Sequence, residues 1–219
     1  MNQAIVQSQE GVTLVGGGPV SQAELRRAVA VAPVVVAADG GADRCLRAGV
    51  MPQAVIGDFD SISAGARAAI AAERLHVIAE QESTDFDKAL RSVAAPFVVA
   101  LGFAGGRIDH ELAVFNALVR TGGPCVVMGP RDVVFHAGCG VRLEMREGER
   151  LSLFPMGRVT GQSRGLEWPI AGLAFAPDGR IGTSNRVVGR VVELVFDGPG
   201  MLVILPRRYL GQAIAAVRV

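Results

Sequence analysis

Between residues 12 and 128 the chain keeps repeating one pattern, a short unbroken apolar run followed by a helix-like segment, and few arrangements satisfy it. The apolar runs are "VTLVGG", "VVVAADGG", "AVIGDFD", "HVIAE", "PFVVALG" and "CVVMG". Most are continuous rather than alternating, as strands covered on both faces are. Between them lie "SQAELRRAVAVA", "ADRCLRAGV", "SAGARAAIAAERL", "TDFDKALRSVAA" and "DHELAVFNALVRTGG". Several of these open with Ser, Thr or Asp at a capping position, and the last closes on glycine. Strand and helix in alternation predict βαβ units, hence an α/β fold with a mainly parallel sheet flanked by helices.

Past residue 130 the texture changes. "VVFHAG", "VRLEMREGERLSLFP", "GRVTGQSRGLEWPI" and "RVVGRVVELVFDGPGMLVILP" are short β-rich runs broken by Gly, Pro and Asp-Gly turns, with no helical pattern among them. Closely spaced short strands predict an antiparallel β-sandwich or small barrel as a second domain. The change in texture falls between residues 130 and 140, so we expect domains over residues 1–132 and 133–219. Neither an internal repeat nor a low-complexity segment interrupts them.

Composition narrows the class of ligand. With 219 residues, half of them apolar, and 28 glycines, the chain can bury a sizeable core and turn often. A formal net charge of +1 supplies no basic field for a nucleic-acid backbone or an anionic membrane, so neither partner is expected. An anionic ligand must therefore be caught locally, which favours a small one. Cys45, Cys125 and Cys139 are odd in number and lack metal-knuckle spacing, so they read as reduced thiols. No basic start precedes an apolar core, and no run approaches the ~20 residues of a membrane span, so a cytoplasmic location is expected.

The chemically suggestive residues of the first domain fall where apolar runs end: Asp39 in "AADGGADR", Asp58 and Asp60 in "GDFDS", Asp85 in "ESTDFDKAL", and Arg107 and Asp109 in "GFAGGRIDH". Ligands of open parallel sheets bind beyond the carboxyl ends of the strands. Gly40, Gly41, Gly105 and Gly106 would let backbone approach a ligand closely there. On an extended strand Asp58 and Asp60, two residues apart, would share a face and repel. A turn needs one such residue, and the second adds repulsion that a shared proton or a bound cation relieves; oxygen ligands suit magnesium. We read the pair as metal-binding.

The other residues keep two readings each. Asp39 before Gly-Gly is also a turn former. Asp85 and Asp87 follow Thr84 in a first helical turn, where the dipole favours negative charge whatever the function. Lys88, three residues after Asp85, could pair with it at the surface or point at the same ligand. Arg107 could clamp a phosphate or be an exposed loop cation, and Asp109 with His110 could be acid/base groups or a cap. Gly16, Gly17 and Gly18 resemble an incomplete dinucleotide fingerprint and argue little for a nicotinamide cofactor. In the second half, Trp168 in "RGLEWPIAGL" and the neighbouring Thr183, Ser184 and Asn185 offer a ring platform with polar groups, yet spacing alone favours Trp168 as a core residue.

The ordered set "ADGGA", "GDFDS", "TDFDKAL", "GGRIDH", then "GLEW" with "TSN", resembles the thiamine pyrophosphokinase family over nearly the whole chain. The resemblance implies an N-terminal α/β domain, a C-terminal β-sandwich and a homodimer with shared active sites. It implies transfer of the terminal diphosphate of ATP to the hydroxyl of thiamine, with Mg2+, giving thiamine diphosphate and AMP. It implies metal, catalytic and diphosphate roles for Asp58, Asp60, Asp85 and Asp39, and places Gly40, Lys88, Arg107 and Asp109 near the nucleotide and Trp168, Ser184 and Asn185 on the thiamine. Asp85 or Asp60 is the candidate base for the alcohol. Where many members carry Asp or Gln shortly before "TD", this chain has Glu82 and Ser83; the asparagine often found after "DH" falls at Val114 in one spacing and at Asn116 in the other. The rival readings are a pyrophosphokinase acting on a hydroxymethylpterin and a non-catalytic thiamine or nucleotide sensor.

Overall fold

A computed structural model describes residues 4–218. The chain divides into two compact units, one of residues up to Ala117 with Val127–Gly129, the other of Leu118–Val126 with Pro130–Arg218.

Up to residue 128 the elements run β1 (Val6–Gln7), β2 (Val12–Val15), α1 (Gln22–Val29), β3 (Val34–Ala38), α2 (Gly41–Arg47), β4 (Ala54–Gly57), α3 (Ala64–Ala69), β5 (Leu75–Val77), α4 (Asp85–Arg91), β6 (Val93–Ala94), β7 (Val98–Leu101), α5 (Ile108–Thr121) and β8 (Cys125–Met128), all in the first unit but for the end of α5 and the start of β8. Strands β7, β2, β3, β4 and β5 pair side by side in that order, all parallel. Every residue of β2, β4 and β7 is buried, so the unbroken apolar runs are those of strands covered on both faces, as expected. The helix starts follow the expected caps: Ser21 with Glu24 forms a capping box at α1, Ser63 caps α3 and Thr84 caps α4. A small parallel pair, β1 with β6, joins Val6 to Val93 and Gln7 to Ala94 and has no counterpart in the sequence reading.

The second unit holds β9 (Asp132–His136), β10 (Gly140–Glu144), β11 (Arg150–Pro155), β12 (Val159–Arg164), β13 (Ala174–Phe175), β14 (Gly182–Arg186), β15 (Val191–Phe196), β16 (Met201–Pro206) and α6 (Leu210–Val217). Its strands form two antiparallel arrays, β14-β11-β16-β9 and β10-β15-β12-β13. They face each other across an apolar layer: a Cβ placed on Gly182 of β14 would lie 3.3 Å from the ring of Phe175 on β13. Helix α6 corrects the expectation that no helix follows residue 130. Its apolar residues Leu210, Ala213, Ile214 and Val217 have helical spacing, but the β-like run "MLVILP" just before them masks the signal.

Candidate active site

The carboxyl ends of β2, β3, β4 and β7 open onto a cleft of about 690 Å3 lined by residues of the first unit only. Asp39, Gly40, Asp58, Asp60, Asp85, Lys88 and Arg107 all line it, so the motif residues scattered over some seventy positions meet at one sheet edge. Each stands just beyond a strand or at a helix start because there the chain leaves the buried sheet.

The local backbone is unusual where the carboxylates meet. Asp39 directly follows β3 with φ of 42°, and Phe59 sits between Asp58 and Asp60 with φ of 67°. Non-glycine residues avoid that region, and such strain concentrates at functional positions. Glycine is required at the end of β4, because a Cβ on Gly57 would lie 2.9 Å from Cβ of Asp39. The chain has therefore left the strand by Asp58, which corrects the expectation that strand alternation holds Asp58 and Asp60 on one face. The turn does so instead: the Asp60 N–H donates to Asp58 Oδ1 at 3.4 Å, and carboxylate oxygens of Asp39, Asp58 and Asp60 all lie within 4.8 Å of one another.

Beneath these carboxylates is Lys88, only 1 % exposed. Its Nζ donates to Asp58 Oδ2 at 3.0 Å and lies 3.6 Å from Asp85 Oδ1. Of the two readings left open for Lys88, the pairing with Asp85 is present but buried rather than at the surface, and the side chain also lines the cleft as the counter-charge of Asp58. Burial alone would make Lys88 less basic; the bond to Asp58, with the field of Asp85, outweighs it and holds the ammonium charged. The Lys88 bond in turn holds Asp58 below the ordinary carboxylate range.

Asp39 is the opposite case. It is 2 % exposed, Oδ2 accepts from the Ser61 N–H at 3.1 Å, and Oδ1 has no hydrogen-bond partner among the described residues. Burial, with the adjacent Asp60 and the charge of Asp85, pushes its carboxyl up to about 6. Burial also raises Asp85, with the Asp58 charge adding to it. A buried, unsatisfied carboxylate oxygen beside two more carboxylates is a set of hard oxygen donors short of a cation, and it fits a divalent ion that prefers oxygen.

On the rim, Arg107 forms a two-bond fork with Asp109, Nη2 to Oδ2 at 2.6 Å and Nε to Oδ1 at 3.2 Å. Asp109, in the first turn of α5, also accepts from the His110 N–H through Oδ1, and the Arg107 bond holds its carboxyl down to about 2. Val114 faces the cleft, whereas Asn116 is exposed and does not line it, which separates the two spacings. Of the first glycines, Gly16 and Gly18 are needed for close packing, a Cβ on Gly18 lying 2.6 Å from the Gly102 carbonyl oxygen, while Gly17 and Gly18 also line the cleft.

Several residues here were not anticipated. Gln81 Nε2 donates to Asp58 Oδ2 at 3.1 Å, so the polar side chain before "TD" that reaches the carboxylates stands one residue earlier than Glu82. Glu80 accepts from the Ser83 hydroxyl, the Glu82 and Ser83 N–H groups and Arg91, fixing the turn that leads into α4. Ser61 donates its hydroxyl to Asp60 at 2.7 Å. Only Gln81 left a signal, as one of several polar residues preceding "TD".

Trp168, Ser184 and Asn185 lie in the second unit. Trp168 is 56 % exposed, which corrects the reading of it as a core residue. Ser184 is exposed with φ of 62°, and Asn185 is buried with its amide bonded to the Trp168 backbone.

A parallel sheet whose carboxyl edge gathers carboxylates around a buried lysine, with a rim arginine, is the equipment of an enzyme that transfers phosphate groups. Comparison with known proteins narrows the class. Residues 25–127 match the family profile described as "Thiamin pyrophosphokinase, catalytic domain", and residues 140–200 match "Thiamin pyrophosphokinase, vitamin B1 binding domain". Thiamine pyrophosphokinase 1 of Oryza sativa subsp. japonica is 26% identical over 197 residues, covering 74% of this chain and 75% of that protein. Thiamine pyrophosphokinase of Bacillus subtilis is 38% identical over 91 residues, 39% of this chain and 42% of that protein. The structure of thiamin pyrophosphokinase from Candida albicans has the same fold, with a TM-score of 0.77 at 17% identity over 93% of each chain. The chain belongs to the thiamine pyrophosphokinase family, enzymes that transfer diphosphate from ATP to thiamine.

Proposed function

We propose that this chain transfers the terminal diphosphate of ATP to the hydroxyl of thiamine, giving thiamine diphosphate and AMP, and that its acidic cleft handles the nucleotide. The observation that carries the proposal is the convergence of Asp39, Asp58 and Asp60 at the strand ends, with Asp39 Oδ1 buried and unpartnered. Asp39, Asp58 and Asp60 would hold Mg2+, with Asp85 beside them completing the acidic set. A bound cation there would neutralise charge on the bridging and equatorial phosphate oxygens.

The chain's own groups do the rest. Lys88 fixes Asp58 in place and keeps it ionised. Arg107, oriented by Asp109, offers its remaining donors to the phosphates. Backbone at Gly17, Gly18 and Gly40 lets the polyphosphate come close. Asp85, whose proton affinity is raised by burial, stands at the cleft to take the proton of the thiamine hydroxyl. Positioning and fixed charge supply most of the acceleration in such transfers.

We assign thiamine to the surface built by Trp168, Ser184 and Asn185, with the Trp168 indole as the ring platform. The phosphate-handling and ring-handling residues lie in different units, which supports a homodimer in which the cleft of one chain meets Trp168 of the partner chain. The cysteines carry no bridge among the described residues and Cys45 and Cys125 are buried thiols, which supports a reducing compartment such as the cytoplasm. No helix among the described residues is long and apolar enough to cross a membrane.

The test is to supply ATP and Mg2+ with thiamine, with a hydroxymethylpterin, or with no alcohol. AMP release that requires thiamine and stops on chelation is expected. Release that follows the pterin, ADP in place of AMP, or no turnover by folded protein would refute the proposal.

A further inference from the structure

Trp168, the one tryptophan of the chain, stands exposed between Leu166 and Ile170, which are 5 % and 2 % exposed. An indole is the side chain with the most apolar surface to hide, so a conformation that keeps it in water must be imposed by its neighbours. Those neighbours are well defined. Asn185, 7 % exposed, turns its amide onto the backbone of Trp168: Nδ2 donates to the Trp168 carbonyl at 2.7 Å, and Oδ1 accepts from the Trp168 N–H at 3.3 Å and the Arg186 N–H at 2.8 Å. The Glu167 N–H donates to the Arg186 carbonyl at 2.8 Å, and the Ile170 N–H donates to Ser163 Oγ at 3.1 Å, pinning the segment on either side.

The ring itself has a partner. The Arg186 guanidinium carbon lies 5.9 Å from the centroid of the Trp168 indole, and Glu167 grips that guanidinium through Nε and through Nη2 at 2.5 Å. One face of the indole is therefore backed by a cation whose charge Glu167 compensates. Without Glu167 that cation would repel a positively charged ring arriving on the other face.

We propose that Asn185, Glu167 and Arg186 are positioning residues that present the free face of the Trp168 indole to a flat cationic ring, and that Asn185 acts through the Trp168 backbone rather than by touching the ligand. The proposal rests on the assignment of thiamine to Trp168. Holding the platform in its binding orientation before the ligand arrives removes an ordering cost from binding.

The single tryptophan makes the test clean, because all indole fluorescence of the full-length protein reports position 168. Anisotropy and acrylamide quenching of the free protein are measured for the parent, Asn185→Ala and Glu167→Gln, together with the KM values for thiamine and ATP. Asn185→Ala should loosen the indole, lowering its anisotropy, and raise the thiamine KM roughly tenfold while the ATP KM stays within about twofold. Glu167→Gln should raise the thiamine KM several-fold, an effect that shrinks with added salt. A raised thiamine KM with unchanged Trp168 anisotropy in Asn185→Ala would mean direct ligand contact and overturn the proposal. Should Asn185→Ala not fold, Glu167→Gln decides, and an unchanged thiamine KM there overturns it. Trp168→Ala separates the premise: an unaltered thiamine KM in that variant would sink the assignment of thiamine to Trp168, whereas the anisotropy of Asn185→Ala still judges the clamp.

Discussion

Replacing Asp58 with asparagine should destabilise the metal-free protein, while the same change at Asp60 should not. The like charges of the pair suggest that neutralising either one relieves repulsion, but the structure separates them. Asp58 is the nearest counter-charge of Lys88, at 3.0 Å, and the lysine is buried; its other partner, Asp85, is at 3.6 Å and more exposed. At an effective dielectric of about 20, each contact carries about 5 kcal/mol of gross attraction, most of it offset by desolvation. Stripping a buried charge of its partner costs about 3–5 kcal/mol, and Asp85 retains part of the compensation, so about 1–3 kcal/mol is expected. For a chain of this size that lowers the melting temperature by roughly 3–10 °C. Asp60 has no such lysine; its carboxylate accepts from Ser61 and crowds Asp39. The Lys88 bond depresses the Asp58 pKa, so its stabilisation is present above the ordinary carboxylate range and lost as pH falls through the folded value. The gap between Asp58→Asn and the parent should be full at pH near 7 and close in acid. Thermal melts in chelator, at neutral and acid pH, read this directly. Equal shifts for the two variants, or a higher melting temperature for Asp58→Asn, would refute the reasoning.

Asp39→Asn should behave in the opposite sense. The Asp39 carboxyl is pushed up to about 6, so the parent loses stability as pH rises from the ordinary value of ~3.9 through that point, and asparagine does not. In chelator near pH 7 the variant should be more stable by about 1–3 kcal/mol, with no difference below pH ~4, and its turnover should be lost; equal melts at neutral pH would contradict a buried, ionised Asp39. Gly57→Ala would bring a Cβ to within 2.9 Å of Cβ of Asp39, so it should displace that carboxylate and reduce turnover by more than about tenfold without unfolding the chain. A parent-like rate in that variant would show that the placement of Asp39 does not matter.

The parts of the fold legible from sequence are those set by burial and by local capping. A strand covered on both faces has to be apolar throughout, which is why "VTLV", "AVIG" and "VVAL" declared themselves, and Ser21, Ser63 and Thr84 marked helix starts by their own chemistry. The residue types of the acidic cleft were legible too; their geometry was not. Nothing in "GDFD" signals that Phe59 takes a positive φ, yet that turn, not strand alternation, brings Asp58 and Asp60 together. Lys88 was ambiguous because its helix neighbour Asp85 explained it locally, while its closer partner, Asp58, is 30 residues away in sequence. Trp168 was misjudged from its usual preference for burial, because its exposure is imposed by Asn185, a tertiary contact across 17 residues with no signature in spacing.

The central claim, diphosphate transfer at the acidic cleft, is tested most directly by following ATP labelled at the β-phosphorus through one reaction with thiamine and Mg2+. The account predicts that all label leaving ATP appears in thiamine diphosphate, matched mole for mole by unlabelled AMP, and that Asp58→Asn and Asp60→Asn abolish the transfer. Label retained in ADP, or transfer that persists undiminished in both variants, would contradict it.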